Sequence, residues 1–172
     1  MKRKSILLIG MVLLFSMTTM AQKFALIDME YILKNIPAYE MTNEQLSQLS
    51  KKWQNEVEAL QEQAQNMYKN LQSDLVFLSA EMKTKREEEI VKKEQEALNL
   101  KRQYFGAEGE LFQKRSSLMK PIHDEIYTAT KEIAEDKGYQ VVIDRASAMS
   151  IIYGSPKIDI SNEVLIKLGY SK

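Results

Sequence analysis

The chain has 172 residues, with 24 Lys and Arg against 24 Asp and Glu, and no Cys. Balanced charge argues against nucleic acid as a partner, and the missing Cys excludes disulfide staples and thiol chemistry. A chain of this length is ordinarily one domain.

The first 21 residues have the layout of a secretory signal peptide. Lys2, Arg3 and Lys4 form a basic start, Ile6 to Met17 an apolar run, and Thr19 and Ala21 a small-residue site ahead of Gln22. The apolar run is shorter than the roughly 20 residues of a spanning helix, which sets this reading above an uncleaved anchor. Cleavage is expected after Ala21, with no Cys there to carry lipid. The mature chain then keeps 21 of the 24 Lys and Arg and all 24 acidic residues, a formal charge of −3.

"FALIDM" (24–29) carries the first strand signal. From about residue 39 to 137 the sequence reads helical. Leu46, Leu49, Trp53, Val57, Leu60, Ala64, Met67, Leu71, Leu75 and Leu78 recur at spacings of three and four, one narrow stripe close to a coiled-coil seam. The chain is expected to fold back at about residues 79–84, where Thr84 and Glu87 fit a capping box. The outgoing helix is then about 55–60 Å long at 1.5 Å per residue.

The return half opens with "EMKTKREEEIVKKEQEALNLKRQ" (81–103), seven basic and six acidic residues in good helix formers. Val91, Leu98, Phe105, Phe112, Met119, Ile126 and Ile133 keep a seven-residue repeat. The half-heptad positions hold Glu94, Lys101, Glu108 and Arg115, then Ile122 and Ala129, so the expected seam is half polar up to residue 118 and apolar beyond it. Gly106 and Gly109 lie inside this helix, where each costs about 1 kcal/mol relative to Ala. Pro121 removes a further backbone hydrogen bond. Gly106, Gly109 and Pro121 are candidate hinges.

Lys137 and Gly138 end the return helix. "YQVVID" (139–144) and "MSIIY" (149–153) alternate at period two, and "RASA" between them suits an antiparallel hairpin. A last helix is expected from Ser161 as N-cap, with Ile160 and Leu165 as a staple and Gly169 as the stop. Phe24, Leu26, Ile122, Ile126, Ile133, Val141, Ile143 and Ile151 are the expected apolar positions of the body. About 50 mature residues outside the hairpin make a marginal core, which without Cys or a metal cluster points to oligomerisation.

Signs of catalysis are few. No P-loop, G-x-G-x-x-G, H-E-x-x-H or G-x-S-x-G occurs. His123, Asp124 and Glu125 are helical neighbours that point apart, and Asp28 and Asp144 read as strand-end caps rather than an acid–base pair. Trp53 reads as seam packing. The expectation is a non-enzyme without cofactor or metal.

"FALIDMEYILKNIP", the long charged hairpin and "GYQVVIDRASAMSIIYGSPKIDISNEVLIKLG" together resemble the Skp/OmpH family of periplasmic chaperones, over the whole mature chain. The resemblance implies a homotrimer with a β-rich body (22–38 and 119–172) and three helical arms (39–118) around a cavity. It implies holding unfolded outer-membrane proteins in the periplasm without ATP and handing them on, with contact to membrane lipid or the outer-membrane insertion machinery. Well-known members are strongly basic and this mature chain is not. The contacts left for clients are "LVFL" (Leu75, Val76, Phe77, Leu78), too many consecutive apolar residues for a narrow seam, and the basic patch Lys83, Lys85 and Arg86. Two other classes share parts of the pattern: an adaptor of an export machine, which would need a larger β-region before the hairpin, and a coiled-coil spacer, which would want a uniformly apolar seam.

Overall fold

The computed structural model describes residues 23–170. The expected signal peptide and its cleavage point after Ala21 lie outside the described residues.

The first strand is shorter than its sequence signal. Strand β1 is Phe24–Ile27, and Asp28 leaves it to cap helix α1 (Met29–Lys34). The Asp28 carboxylate accepts the Tyr31 N–H at 2.9 Å, a contact that satisfies one free amide of a helix start. Helix α1 was not legible as a separate element. Helix α2 (Pro37–Asp74) follows with proline in its first turn, where the missing N–H costs nothing. Its 38 residues span about 57 Å.

The return limb is not one helix. Helix α3 (Ala80–Phe105) stops at Gly106, and helix α4 (Glu110–Lys137) starts after Gly109. A turn of open backbone between them replaces the continuous helix expected there. Helix α4 runs on through Pro121 to Lys137. Gly138 then ends it in a left-handed conformation at φ 71°, and Gly169 does the same after the last helix at φ 85°.

Strand β2 (Val141–Asp144) pairs in parallel with β1, Phe24 opposite Val141 and Ile27 opposite Asp144. A parallel pair needs a long crossover, and here the whole arm is that crossover. The antiparallel hairpin expected between 139–144 and 149–153 is therefore corrected, because among the described residues 149–153 forms no strand. The cause is local. Asp144 accepts the Met29 N–H and the Ala146 N–H, both at 3.0 Å, which turns the chain at the strand end. Gly154 is then pressed on Leu26, so closely that a Cβ there would collide with the Leu26 side chain. The segment crosses the sheet face instead of running along the free edge of β2.

On the other edge of β1, Ile160 N–H donates to the Leu26 carbonyl at 2.9 Å. Helix α5 (Ser161–Lys167) begins there. Ser161 is its first residue rather than its cap. Its N–H donates to Asp159 Oδ1 at 2.9 Å, while its hydroxyl accepts the Asp28 N–H at 2.8 Å. Ile160 and Leu165 are both buried, but with Ile160 as the cap they do not stand at the two positions of the staple expected from the sequence.

One core cluster joins these pieces. Ala25 and Ile27 of β1, Ile32 and Ile36, and Ile160, Val164 and Leu165 pack with Met119, Ile122, Ile126, Ala129 and Ile133 of α4. Leu46 reaches the same cluster from α2, so the arm is rooted in the body.

Candidate functional site

The arm is closed by two rows of side chains. On α2 the buried positions are Leu46, Val57, Ala64 and Leu71, all on the stripe read from the sequence. On α3 they are Ile90 and Ala97, one residue before the repeat read from the sequence. Val91, Leu98, Phe105 and Phe112 of that repeat are exposed. Two adjacent seven-residue rows run along α3, and Ile90, Ala97 and Tyr104 of the inner one turn inward. The helix is interrupted at Gly106–Gly109, so a seven-residue phase set on α3 does not carry over into α4. Met119, Ile126 and Ile133 are accordingly buried, although they belong to the row that stands outside in the arm.

The half-heptad charges follow the outer row. Glu94, Lys101, Glu108 and Arg115 are all exposed, while Lys93 and Leu100 approach the seam. Midway along the arm Trp53 stacks on Tyr104, and the Tyr104 hydroxyl donates to Glu56 at 2.7 Å. That bond, together with burial, raises the pKa of Tyr104 above the usual range. Trp53 is thus seam packing, as its spacing implied.

At the far end, a single 3₁₀ turn (Leu75–Phe77) replaces the turn expected at 79–84. Ser79 caps α3 by accepting the Met82 N–H at 3.2 Å, and Thr84 lies inside the helix, its hydroxyl donating to the Ala80 carbonyl. Leu75 and Leu78 are half-buried under the turn. Val76 and Phe77, at 89% and 85% exposed, are left free. Of the three basic residues, Arg86 is held by Asp74 at 2.6 Å and Lys83 lies 3.8 Å from Glu87. Lys85 is exposed, and no described residue forms an ion pair with it. The proposed basic patch is therefore partly neutralised.

In the body, Leu26, Ile122, Ile126 and Ile133 are buried, Ile143 and Ile151 are half-buried, and Phe24 and Val141 are about half exposed. Phe24 and Val141 are register partners and share one face of the sheet. Met149, Ile152 and Tyr153 stand almost wholly exposed in the following segment. Sequence reasoning missed these as a group because it paired them into a hairpin.

The strand ends carry a polar knot. Arg145 bridges Asp28 (Nη2 to Oδ2, 3.0 Å) and Asp159 (Nε to Oδ2, 3.3 Å). Burial alone would raise the pKa of Asp144, but hydrogen bonds from the Met29 N–H, Ser147 and the Ala146 N–H outweigh it and hold the carboxyl low. Asp28 and Asp144 are both occupied as caps. His123 is exposed on α4.

No group of three His, Cys, Asp or Glu residues is placed to hold a metal among the described residues. No helix among them is long and apolar enough to cross a membrane. The geometry defines a class: an α+β scaffold whose small body presents a long two-helix arm. Known proteins share it. The outer membrane protein (OmpH-like) family profile matches residues 23–168. The chaperone protein Skp of Yersinia enterocolitica is 29% identical over 159 residues, covering 91% of this chain and 92% of that protein. Skp of Pectobacterium atrosepticum is 28% identical over 160 residues, with the same coverage. The solved structure of an OmpH-like protein from Caulobacter crescentus superposes with a TM-score of 0.70 at 11% identity, over 88% of this chain and 86% of that one, a likeness of fold. The chain belongs to the outer membrane protein (OmpH-like) family.

Proposed function

We propose that this chain is a periplasmic holdase that binds unfolded outer-membrane proteins and keeps them soluble for insertion, without ATP. The observation that carries the reading is the arm: about 57 Å of paired helix, on a body too small to be its purpose, with large apolar side chains left exposed among charges. Similarity to two proteins named Skp, each described as a chaperone, supports it. The basic, apolar, small-residue order of positions 1–21 supports export and cleavage after Ala21.

The division into a body (22–38 and 119–172) and an arm (39–118) belongs to the same proposal. The body is the homotrimer's centre, and Phe24, Val141, Met149, Ile152 and Tyr153 are the apolar surface that other copies cover. Exposed apolar side chains in such number are what an uncovered interface leaves on one protomer. Val76 and Phe77 are client contacts at the tip, with Leu75 and Leu78 closing the hairpin beneath them. Lys83, Lys85 and Arg86 add charge beside them.

The test is dilution of a urea-denatured β-barrel protein into buffer with the mature chain and no nucleotide, followed by light scattering. Aggregation should be suppressed at stoichiometric amounts. Val76→Ser with Phe77→Ser should raise the client dissociation constant and leave the melting temperature nearly unchanged. A chain that acts only as a spacer or adaptor suppresses nothing, and that result removes the proposal.

A further inference from the structure

The return limb carries one row of apolar side chains more than the hairpin needs. Val91, Leu98 and Phe105 on α3 and Phe112 on α4 are 62%, 48%, 37% and 56% exposed, the first three spaced every seven residues, or about 10.5 Å along the helix, and Phe112 beyond the break at Gly106–Gly109. Their exposure is enforced. Tyr104 is pinned inward by Trp53 and Glu56, so the adjacent Phe105 must point elsewhere, and it stands edge-on to Tyr104. Phe105 flanks a shallow groove between the helices that Gln54, Glu58, Gln61 and Lys101 also line.

Between the apolar steps stand Glu94, Lys101, Glu108 and Arg115, alternating in sign and all exposed. None of the four is in an ion pair among the described residues. This pattern decides what the row can hold. A partner helix needs apolar residues at both core positions of each heptad, and here every second one would bury a charge. A second copy fares worse. In a parallel pairing each of these charges meets its own sign. In an antiparallel pairing along α3 that sets Leu98 against Phe105, Lys101 meets Arg102.

We infer that this outer row is the surface that holds the unfolded client. The occupant is an extended polypeptide with aliphatic and aromatic side chains separated by residues of either charge. Because the row's charges alternate and cancel, it does not select clients by net charge, so a mature chain of −3 needs no basic surface. Side chains on one face of an extended chain recur about every 6.7 Å, out of step with 10.5 Å, so no register is fixed. Contacts form and exchange singly, and retention comes from their number. The inference rests on the holdase reading, which it deepens by naming the surface and the client chemistry.

A photo-crosslinking side chain is placed in turn at positions 91, 98, 105 and 112, and at Asn55 and Gln63 on α2 as exposed controls. The probe client is a urea-denatured β-barrel outer-membrane protein. Crosslinks should be several times more abundant along the row than at the controls. Leu98→Ser with Phe112→Ser, which avoids the Tyr104 contact, should weaken binding about tenfold with an unchanged melting curve. Weakening should be the same in low and moderate salt. Equal crosslinking at the controls, unchanged affinity in the variant, or crosslinks between copies of this chain through the row would overturn the inference. Where the parent chain binds no client at all, the holdase reading itself has failed.

Discussion

Trp53 lies flat on Tyr104, ring centroids 4.5 Å apart and planes 7° from parallel, and this stack joins α2 to the last turn of α3. Tyr104 also donates to Glu56, one helical turn from Trp53, so a single residue fixes both the spacing and the register of the arm. Trp53 is the only Trp in the chain, which makes its fluorescence a reporter of this point alone. Tyr104→Phe should keep the stack and lose the hydrogen bond, lowering the melting temperature by a few degrees with little change in emission. Tyr104→Ala should shift emission to the red. In the parent chain the Tyr104 pKa is raised, so the bond is fully present below about pH 10 and is lost as pH rises through the folded value. Trp53 emission should therefore change at higher pH than free tyrosine ionises.

Asp144 sets a limit on the acid side. Its carboxylate terminates β2, caps the start of α1 through the Met29 N–H and holds the turn through Ala146. Its pKa is lowered in the folded chain, so its contribution is present above the unfolded carboxylate value, about 3.9, and is lost as pH falls through the folded one. Asp144→Asn should cost roughly 1–2 kcal/mol at neutral pH. Denaturant titrations of parent and variant should converge as pH falls through the lowered folded value. A constant difference from pH 7 to pH 2 would show that side-chain shape, not charge, is what matters there.

Ile126 is fully buried at the centre of the core cluster, between the strands and the root of the arm. Ile126→Ala should destabilise by about 2–5 kcal/mol through the cavity it leaves. Ile126→Lys places a charge there without a partner and should unfold the body or dissociate the assembly. Sedimentation and circular dichroism check both. A folded protein of unchanged assembly state carrying Lys at 126 would move the centre of the body elsewhere.

The arm and the body were not equally legible. The α2 stripe was readable because Leu46, Leu49, Trp53, Val57, Leu60 and Leu71 have no large apolar neighbour in the chain to compete for the seam. On α3 Ile90 and Val91 are adjacent, as are Tyr104 and Phe105, and a fixed seven-residue repeat chose the outer member of each pair. What decides between them is the partner helix, through Trp53 and Glu56, which is tertiary information. The segment 149–153 alternates like a strand, and only the Asp144 turn and the contact of Gly154 on Leu26 keep it from pairing. Asp28 and Asp144 were legible as caps because each stands at the end of an apolar run.

The break between α3 and α4 reverses one expectation from the sequence. Glycines inside a helix would gain stability on replacement by Ala, but Gly106 and Gly109 are not inside one. A Cβ on Gly106 would strike the Arg102 carbonyl, and one on Gly109 would lie 2.8 Å from the Gln103 carbonyl and 2.8 Å from the Gly106 nitrogen. These are backbone atoms and cannot swing away, so Gly106→Ala and Gly109→Ala should each lower the melting temperature. The break is spanned by Gln103 donating to Glu110 at 2.6 Å, a bridge of exposed side chains that opens at little cost. Opposite it α2 continues without Gly or Pro from Ala38 to Asp74, so the arm can bend there but not fold. We propose that this bend, with Pro121 as a second give near the root, adjusts the arm to clients of different size. Amide exchange should be fastest at residues 106–109 and slow on α2 directly opposite. Gly109→Ala should weaken binding of the largest denatured β-barrel more than the smallest. Equal binding of all sizes would leave the glycines as the stop of one helix and the start of the next.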